Sequence, residues 1–443
     1  MGGEIDSPPF SLSSYHSISF MPENQSIFNK LLAFLLSLGP AFLAIGYTIG
    51  TGSVTSMVVA GNKFGMDLLW VLLLSCFFSW ILMEAYGRYT LVTNETALYG
   101  IKKHIRFGTP IAILIIIGIS IGQWNSLIGI LGISANAIYE VFARYFPLLA
   151  KYPYQTILVI GIIVLSTMYL VLLQGKYSSL EKVLIFFVSL MGISFLISLF
   201  FVSPDAGSIA KGLVPKIPDV AGGKMLVAAF VGTTMAAATF LSRSLFIKGK
   251  GWTLANLKDQ SNDAKIAAIL IFLISGSIMA ISASALAGKG MTITKVFDMV
   301  NTLEPLLGKF AVTIFLFGIL GAGLSSVFPI LLITPILIAD FQSGELDLKS
   351  KQFRIITGVA CLVGLTVPIF GANPINAQIL SQVFNVFVLP LVVLSIILLL
   401  NKKGLMGEYK ASTFLNVGMG LAFVFSCIIS YTGVVAIFDS LKM

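Results

Sequence analysis

The residue types most open to chemistry in this chain are neutral polar groups, and two short clusters of them stand inside apolar stretches. The first is Gly46-Tyr47-Thr48-Ile49-Gly50-Thr51-Gly52-Ser53-Val54-Thr55-Ser56, with two glycines two apart and a run of hydroxyls. The second is Gly232-Thr233-Thr234-Met235-Ala236-Ala237-Ala238-Thr239. Glycine costs a helix about 1 kcal/mol relative to alanine, and short hydroxyl side chains compete for its backbone groups. Both segments therefore predict an interrupted helix. A break frees peptide N–H and C=O groups, and without a Cβ at Gly50 and Gly52 a ligand can reach them. Such a site favours a small neutral, zwitterionic or anionic solute. The competing reading is that these small residues only let helices pack closely.

Other polar groups interrupt later apolar runs. Gln382 and Asn385 are substrate-site candidates, and Gln123 and Ser126 are pathway candidates. Glu84 precedes Arg88 by four residues, which predicts an i,i+4 pair at the membrane boundary or a coupling carboxylate. Arg243 reads as a side chain snorkelling to the interface or as part of an inner exit. Ser325 and Ser326 either bond back to their own helix or hold a coupling ion. No ATP-binding Gly-x-x-x-x-Gly-Lys-Ser/Thr motif occurs, which argues against a primary pump. Cys76, Cys361 and Cys427 lie in apolar runs without Cys-x-x-Cys spacing and read as free thiols.

These groups must be positioned by membrane helices. Of 443 residues, 57% are hydrophobic and 11% charged, where soluble domains carry roughly 25% charged residues. The mean hydropathy is +0.97. That composition excludes a cytosolic enzyme and a disordered chain, and the long continuous apolar runs exclude a β-barrel. An all-α polytopic membrane protein is left. Charge-free runs place spans at 32–59, 67–89, 109–135, 154–174, 183–203, 225–246, 265–287, 309–339, 354–370, 375–400 and 412–437. Gly371-Ala372-Asn373-Pro374 divides the ninth from the tenth. With these boundaries Glu84 is the carboxylate that falls within a span and not at its edge. Of the 28 lysines and arginines, 18 fall on the side of the N-terminus, which predicts a cytoplasmic N-terminus and an extracytoplasmic C-terminus. The net charge of +9 is read the same way and not as a nucleic-acid signal. The interruptions lie in the first and sixth spans, five apart, the signature of a 5+5 inverted repeat around a central site. The expected organisation is a flexible tail over 1–30, repeats over 31–203 and 225–400, and an additional helix over 412–437.

An ordered set of fragments resembles the Nramp family of proton-coupled divalent-metal transporters. Gly39-Pro40-Ala41-Phe42-Leu43-Ala44 is similar to its GPGFLA, Ala60-Gly61-Asn62-Lys63-Phe64-Gly65 to AGAQFG, and Leu68-Leu69-Trp70 to LLW. Leu303-Glu304-Pro305-Leu306-Leu307-Gly308 resembles LEPLLG, Ser325-Ser326 the serine pair, Leu380-Ser381-Gln382-Val383 LSQV, and Leu389-Pro390 LP. The resemblance spans about residues 35 to 400 and implies the broken-helix inverted repeat of the amino-acid/polyamine/organocation superfamily. It implies an alternating-access secondary transporter.

The family's functional residues do not carry over. Its metal-binding Asp-Pro-Gly-Asn aligns with Gly50-Thr51-Gly52-Ser53, and its Met-Pro-His with Ala236-Ala237-Ala238. The acidic pair of its proton route aligns with Gln123 and Ser126, and its second histidine with Arg243. Gln382 stays, while a later glutamine aligns with Val388. Mn²⁺ and Fe²⁺ sites rely on carboxylate, imidazole and thioether donors that are missing here. The expectation is a transporter that moves a small solute other than a transition metal, with no metal site and no cofactor. Loss of the aspartate and the small Ala236–Ala238 wall are expected to leave room for more than a bare ion. A Mn, Fe or Mg carrier with an atypical site and a non-transporting sensor are the alternatives. The expected partners are the bilayer of a plasma or bacterial inner membrane and a small solute or ion, without nucleic acid. A monomer is the working expectation.

Overall fold

The structure is a computed structural model that describes residues 39–146, 148–173, 177–202, 204–216, 222–286, 304–343, 350–370 and 373–441. The expected tail over 1–30 and the Gly371-Ala372 turn lie outside the described residues. The helices are α1 (Gly39–Thr48), α2 (Thr51–Phe64), α3 (Leu69–Thr93), α4 (Ala97–His104), α5 (Gly108–Tyr145) and α6 (Pro153–Leu173). They continue with α7 (Tyr177–Phe200), α8 (Ala206–Gly212), α9 (Gly223–Thr234), α10 (Ala237–Gly249), α11 (Leu257–Leu286) and α12 (Glu304–Ser343). The last are α13 (Lys351–Gly364), α14 (Thr366–Phe370), α15 (Pro374–Asn385), α16 (Leu389–Leu400), α17 (Lys403–Met406) and α18 (Thr413–Leu441). Among the described residues ten stretches are long and apolar enough to cross a bilayer, and the bent pair α1–α2 makes an eleventh.

The first and sixth spans are interrupted where their composition is weakest. α1 stops at Thr48, α2 restarts at Thr51, and the two are bent by 51°. α9 stops at Thr234 and α10 restarts at Ala237. Both breaks are buried, and other spans satisfy the carbonyls they free. Ser326 Oγ donates to the Gly46 carbonyl at 2.7 Å and Thr233 Oγ1 to the Thr48 carbonyl at 2.8 Å. Ser79 Oγ donates to the Thr234 carbonyl at 2.8 Å. Broken backbone at membrane depth is tolerated only under such conditions.

Two features depart from the span reading. The tenth span is not continuous: α15 ends at Asn385 and α16 begins at Leu389. Pro390, in the first turn of α16, cannot donate a backbone hydrogen bond back across the junction. Ser430 Oγ donates to the Val386 carbonyl there at 2.7 Å. The seventh span starts at Leu257 and not near residue 265, because the helix runs on past its apolar stretch. That extension brings Gln260 and Asp263 into the bundle, where both are buried. Asp340, one residue past the expected eighth span, is buried as well and accepts from Thr96 Oγ1. Glu84 is thus not alone among carboxylates within the spans.

Candidate functional site

The two breaks and the middle of α5 and α15 converge on one cavity. Its wall takes Tyr47, Gly50 and Gly52 from the first span, and Thr233 and Ala236 from the sixth. α5 adds Gln123, Ser126 and Ile130, α12 adds Ser326 and Ile330, and α15 adds Gln378, Gln382 and Asn385. The volume open to the centre of a water molecule is about 10 Å³, room for roughly one water. The expected space for something larger than a bare ion is therefore not present in this structure.

The amides of this wall form a continuous relay. Gln123 Nε2 donates to Asn385 Oδ1 at 3.3 Å, and Asn385 Nδ2 donates to Gln382 Oε1 at 3.2 Å. Gln382 Nε2 and Gln378 Nε2 both donate to Ser126 Oγ, at 3.0 and 3.1 Å. The relay fits because the facing surfaces carry no side chain. A Cβ on Gly122 would stand 2.2 Å from Asn385 Oδ1, and one on Gly129 2.3 Å from Gln378 Oε1. One on Gly52 would stand 2.4 Å from Gln382 Nε2. Gly122, Ser126 and Gly129 are spaced i, i+4, i+7 on α5, and Gln378, Gln382 and Asn385 at i, i+4, i+7 on α15. Each set therefore lies on one helix face.

The remaining sequence candidates divide clearly. Thr51, Ser53, Thr234, Ala237 and Ala238 are buried beside the breaks but off the cavity wall. Ser53 Oγ meets Ser275 Oγ at 3.2 Å. Ser325 Oγ bonds back to the Ala322 carbonyl of its own helix at 3.1 Å, and Ser326 alone of that pair reaches the wall. Glu84 accepts from Arg88 Nη2 at 2.8 Å, the i,i+4 pair, away from the cavity. Arg243 neither snorkels nor lines the cavity. Its Nη2 donates to Asp263 Oδ2 at 2.9 Å, with side chains 1% and 2% exposed. Asp263 Oδ1 also accepts from the Ala41 backbone N–H at 3.1 Å. A buried charge needs such a partner, and here the partner holds the first turn of α1 against α10 and α11. Tyr47 and Gln378 were not singled out from the sequence. Tyr47 lies in the last turn of α1, just before the first break, its hydroxyl donating to the Pro329 carbonyl at 2.7 Å.

The wall is electrically neutral. It carries no Asp, Glu, His, Lys, Arg, Cys or Met, and no cluster of three or more metal-ligating His, Cys, Asp or Glu occurs among the described residues. Its positive potential comes from backbone. Gly50 and Ala236 are the N-cap residues of α2 and α10, both extended and without a side-chain cap, and both line the cavity, so two helix N-termini lend their positive partial charge to its wall.

A family model described as natural resistance-associated macrophage protein-like, Nramp, matches residues 41–436. The chain belongs to the Nramp family. The divalent metal cation transporter MntH of Nostoc sp. is 27% identical over 414 residues, covering 90% of both chains. That of Bacillus subtilis is 26% identical over 397 residues, covering 88% of this chain and 89% of that one. Among solved structures, the Eremococcus coleocola manganese transporter in complex with an aromatic bis-isothiourea compound superposes with a TM-score of 0.70 at 19% identity. It covers 96% of this chain and 90% of that one. MhsT in complex with L-phenylalanine gives 0.60 at 15% identity, covering 90% and 98%. The fold is thus the inverted-repeat transporter fold shared by these proteins. This Nramp-family chain is a multi-pass secondary membrane transporter and not an enzyme.

Proposed function

We propose that this chain moves, by alternating access, a small solute that is not a transition metal, and that it holds the solute through neutral hydrogen-bonding groups. The observation that carries this reading is the wall itself: four carboxamides, hydroxyls and uncapped peptide groups, with no carboxylate, imidazole, thiol or thioether. Manganous or ferrous ions must exchange hydration water for N, O and S donors, and neutral amides repay that loss poorly. A small neutral or zwitterionic solute loses less on entry and finds both donors and acceptors. Gln123 and Ser126 stand where a titratable proton route would need acids. A cavity of this volume takes an organic solute only if the amide relay parts to admit it.

A second reading has its own support. The relatives are named divalent metal cation transporters, and an oxygen-rich neutral wall suits a hard divalent cation that keeps its water. Proteoliposome counterflow separates the two. Liposomes preloaded with amino acids, small amides or polyols, Mg²⁺ or Mn²⁺ are challenged with the labelled counterpart. Exchange of an organic solute without Mn²⁺ exchange supports the proposal. Exchange of Mg²⁺ or Mn²⁺ without an organic solute supports the second reading and removes the first.

A further inference from the structure

Every amide nitrogen of the relay has a partner, but the buried oxygen of Gln378 does not. Gln378 is fully buried and lines the cavity, and its Oε1 accepts no hydrogen bond. Buried acceptors are seldom left unmade, and exceptions mark unfilled roles. The position of this oxygen is built, not incidental. A Cβ on Gly52 would fall 2.5 Å from Gln378 Nε2, and one on Gly129 would fall 2.3 Å from its Oε1. Two glycines on two spans thus make room for this one amide, while Ser126 holds its nitrogen at 3.1 Å.

We propose that Gln378 is a specificity-determining contact whose free oxygen takes an N–H donor, an ammonium or amide group, from the transported solute. The inference rests on the neutral-site reading above and narrows it. With one N–H of Nε2 committed to Ser126, the atom of Gln378 left wholly without a partner is its acceptor oxygen. The uncapped N–H groups at Gly50 and Ala236 supply the complementary donors for the other end of the solute. A solute with both ends satisfied is an amine or amide that also carries an acceptor, and a simple anion would leave Gln378 Oε1 unpaired.

The test uses the purified full-length chain, titrated with ammonium, glycinamide, glycine, acetate and sodium by thermal shift and calorimetry. Wild type, Gln378→Met and Gln378→Glu are compared. The N–H probes are expected to bind wild type, and acetate and sodium to bind poorly. Gln378→Met is expected to weaken the N–H probes by at least about tenfold, the loss of one charge-assisted hydrogen bond. Gln378→Glu, nearly the same shape, is expected to keep or tighten ammonium and glycinamide and to weaken glycine, whose carboxylate it repels. A purely structural role would lower all affinities together and leave that ranking unchanged, and such a result overturns the assignment. So does equal binding by wild type and Gln378→Met, or binding of acetate or sodium alone. If the N–H probes fail with wild type while counterflow finds another organic solute, the Gln378 assignment is wrong and the transporter reading stands. If neither experiment finds an organic solute, both fall.

Discussion

Changing Asp263 to asparagine removes the counter-charge of Arg243 from a site sealed from solvent. The pair is separated by 2.9 Å, with side chains 1% and 2% exposed. Removing one partner of such a pair costs about 3–5 kcal/mol, mostly from the charge left behind. Asparagine keeps an oxygen for the Ala41 N–H, which the aspartate holds at 3.1 Å, so the loss is confined to the arginine side and falls at the lower end of that range. Combining Asp263→Asn with Arg243→Met removes the stranded charge while leaving Ala41 its acceptor. The double variant is therefore expected to be more stable than Asp263→Asn alone, with a coupling of at least about 2 kcal/mol. Unfolding of the parent, both single variants and the double variant in detergent gives that coupling directly. Simple additivity, or an Asp263→Asn variant as stable as the parent, would refute the assignment of this pair as a structural tie between α1, α10 and α11.

Gly232→Ala should destabilise the chain by about 1–3 kcal/mol. Its Cβ would come within 1.8 Å of the Gln382 backbone carbonyl, which cannot rotate aside, and unchanged thermal unfolding would show that α9 and α15 are not so closely packed. Outside the membrane, burial pushes the Glu95 carboxyl up, but hydrogen bonds from Lys103 and His104, together with their charges, outweigh it. They hold it below its ordinary value of 4.5. A lowered folded value means that this group stabilises the fold above about pH 4.5 and that the contribution fades as pH falls through the lowered value. Glu95→Gln should accordingly lose less stability than wild type on acidification below that pH. Parallel acid curves would count against the contact.

Much of the architecture was legible because bilayer thickness dictates span length. The eleven apolar runs recur, and the glycine and hydroxyl clusters at Gly50–Ser53 and Thr233–Ala238 mark the two principal breaks. The break in the tenth span was not legible, since Val386-Phe387-Val388 is as apolar as its surroundings and only Pro390 hints at it. Asp263 escaped notice because a charge near the end of an apolar run reads as loop, although helices extend beyond the hydrocarbon layer. Its partner is twenty residues away in sequence, and only the packing of α10 on α11 joins them. Gln378 does carry a signal in the sequence. With Gln382 and Asn385 it forms an i, i+4, i+7 amide face, and Gly122, Ser126 and Gly129 repeat that spacing on α5. Neither face means much alone, since small residues commonly serve packing. Matched across two spans, they describe one polar interface.

The central claim is that the site has given up transition metals, and Mn²⁺ calorimetry on the purified chain tests it most directly. A wall of amides and hydroxyls without one carboxylate, imidazole or thioether predicts no saturable Mn²⁺ binding at micromolar concentrations, with the same trace for Gln382→Ala. Micromolar Mn²⁺ binding that Gln382→Ala abolishes would contradict it.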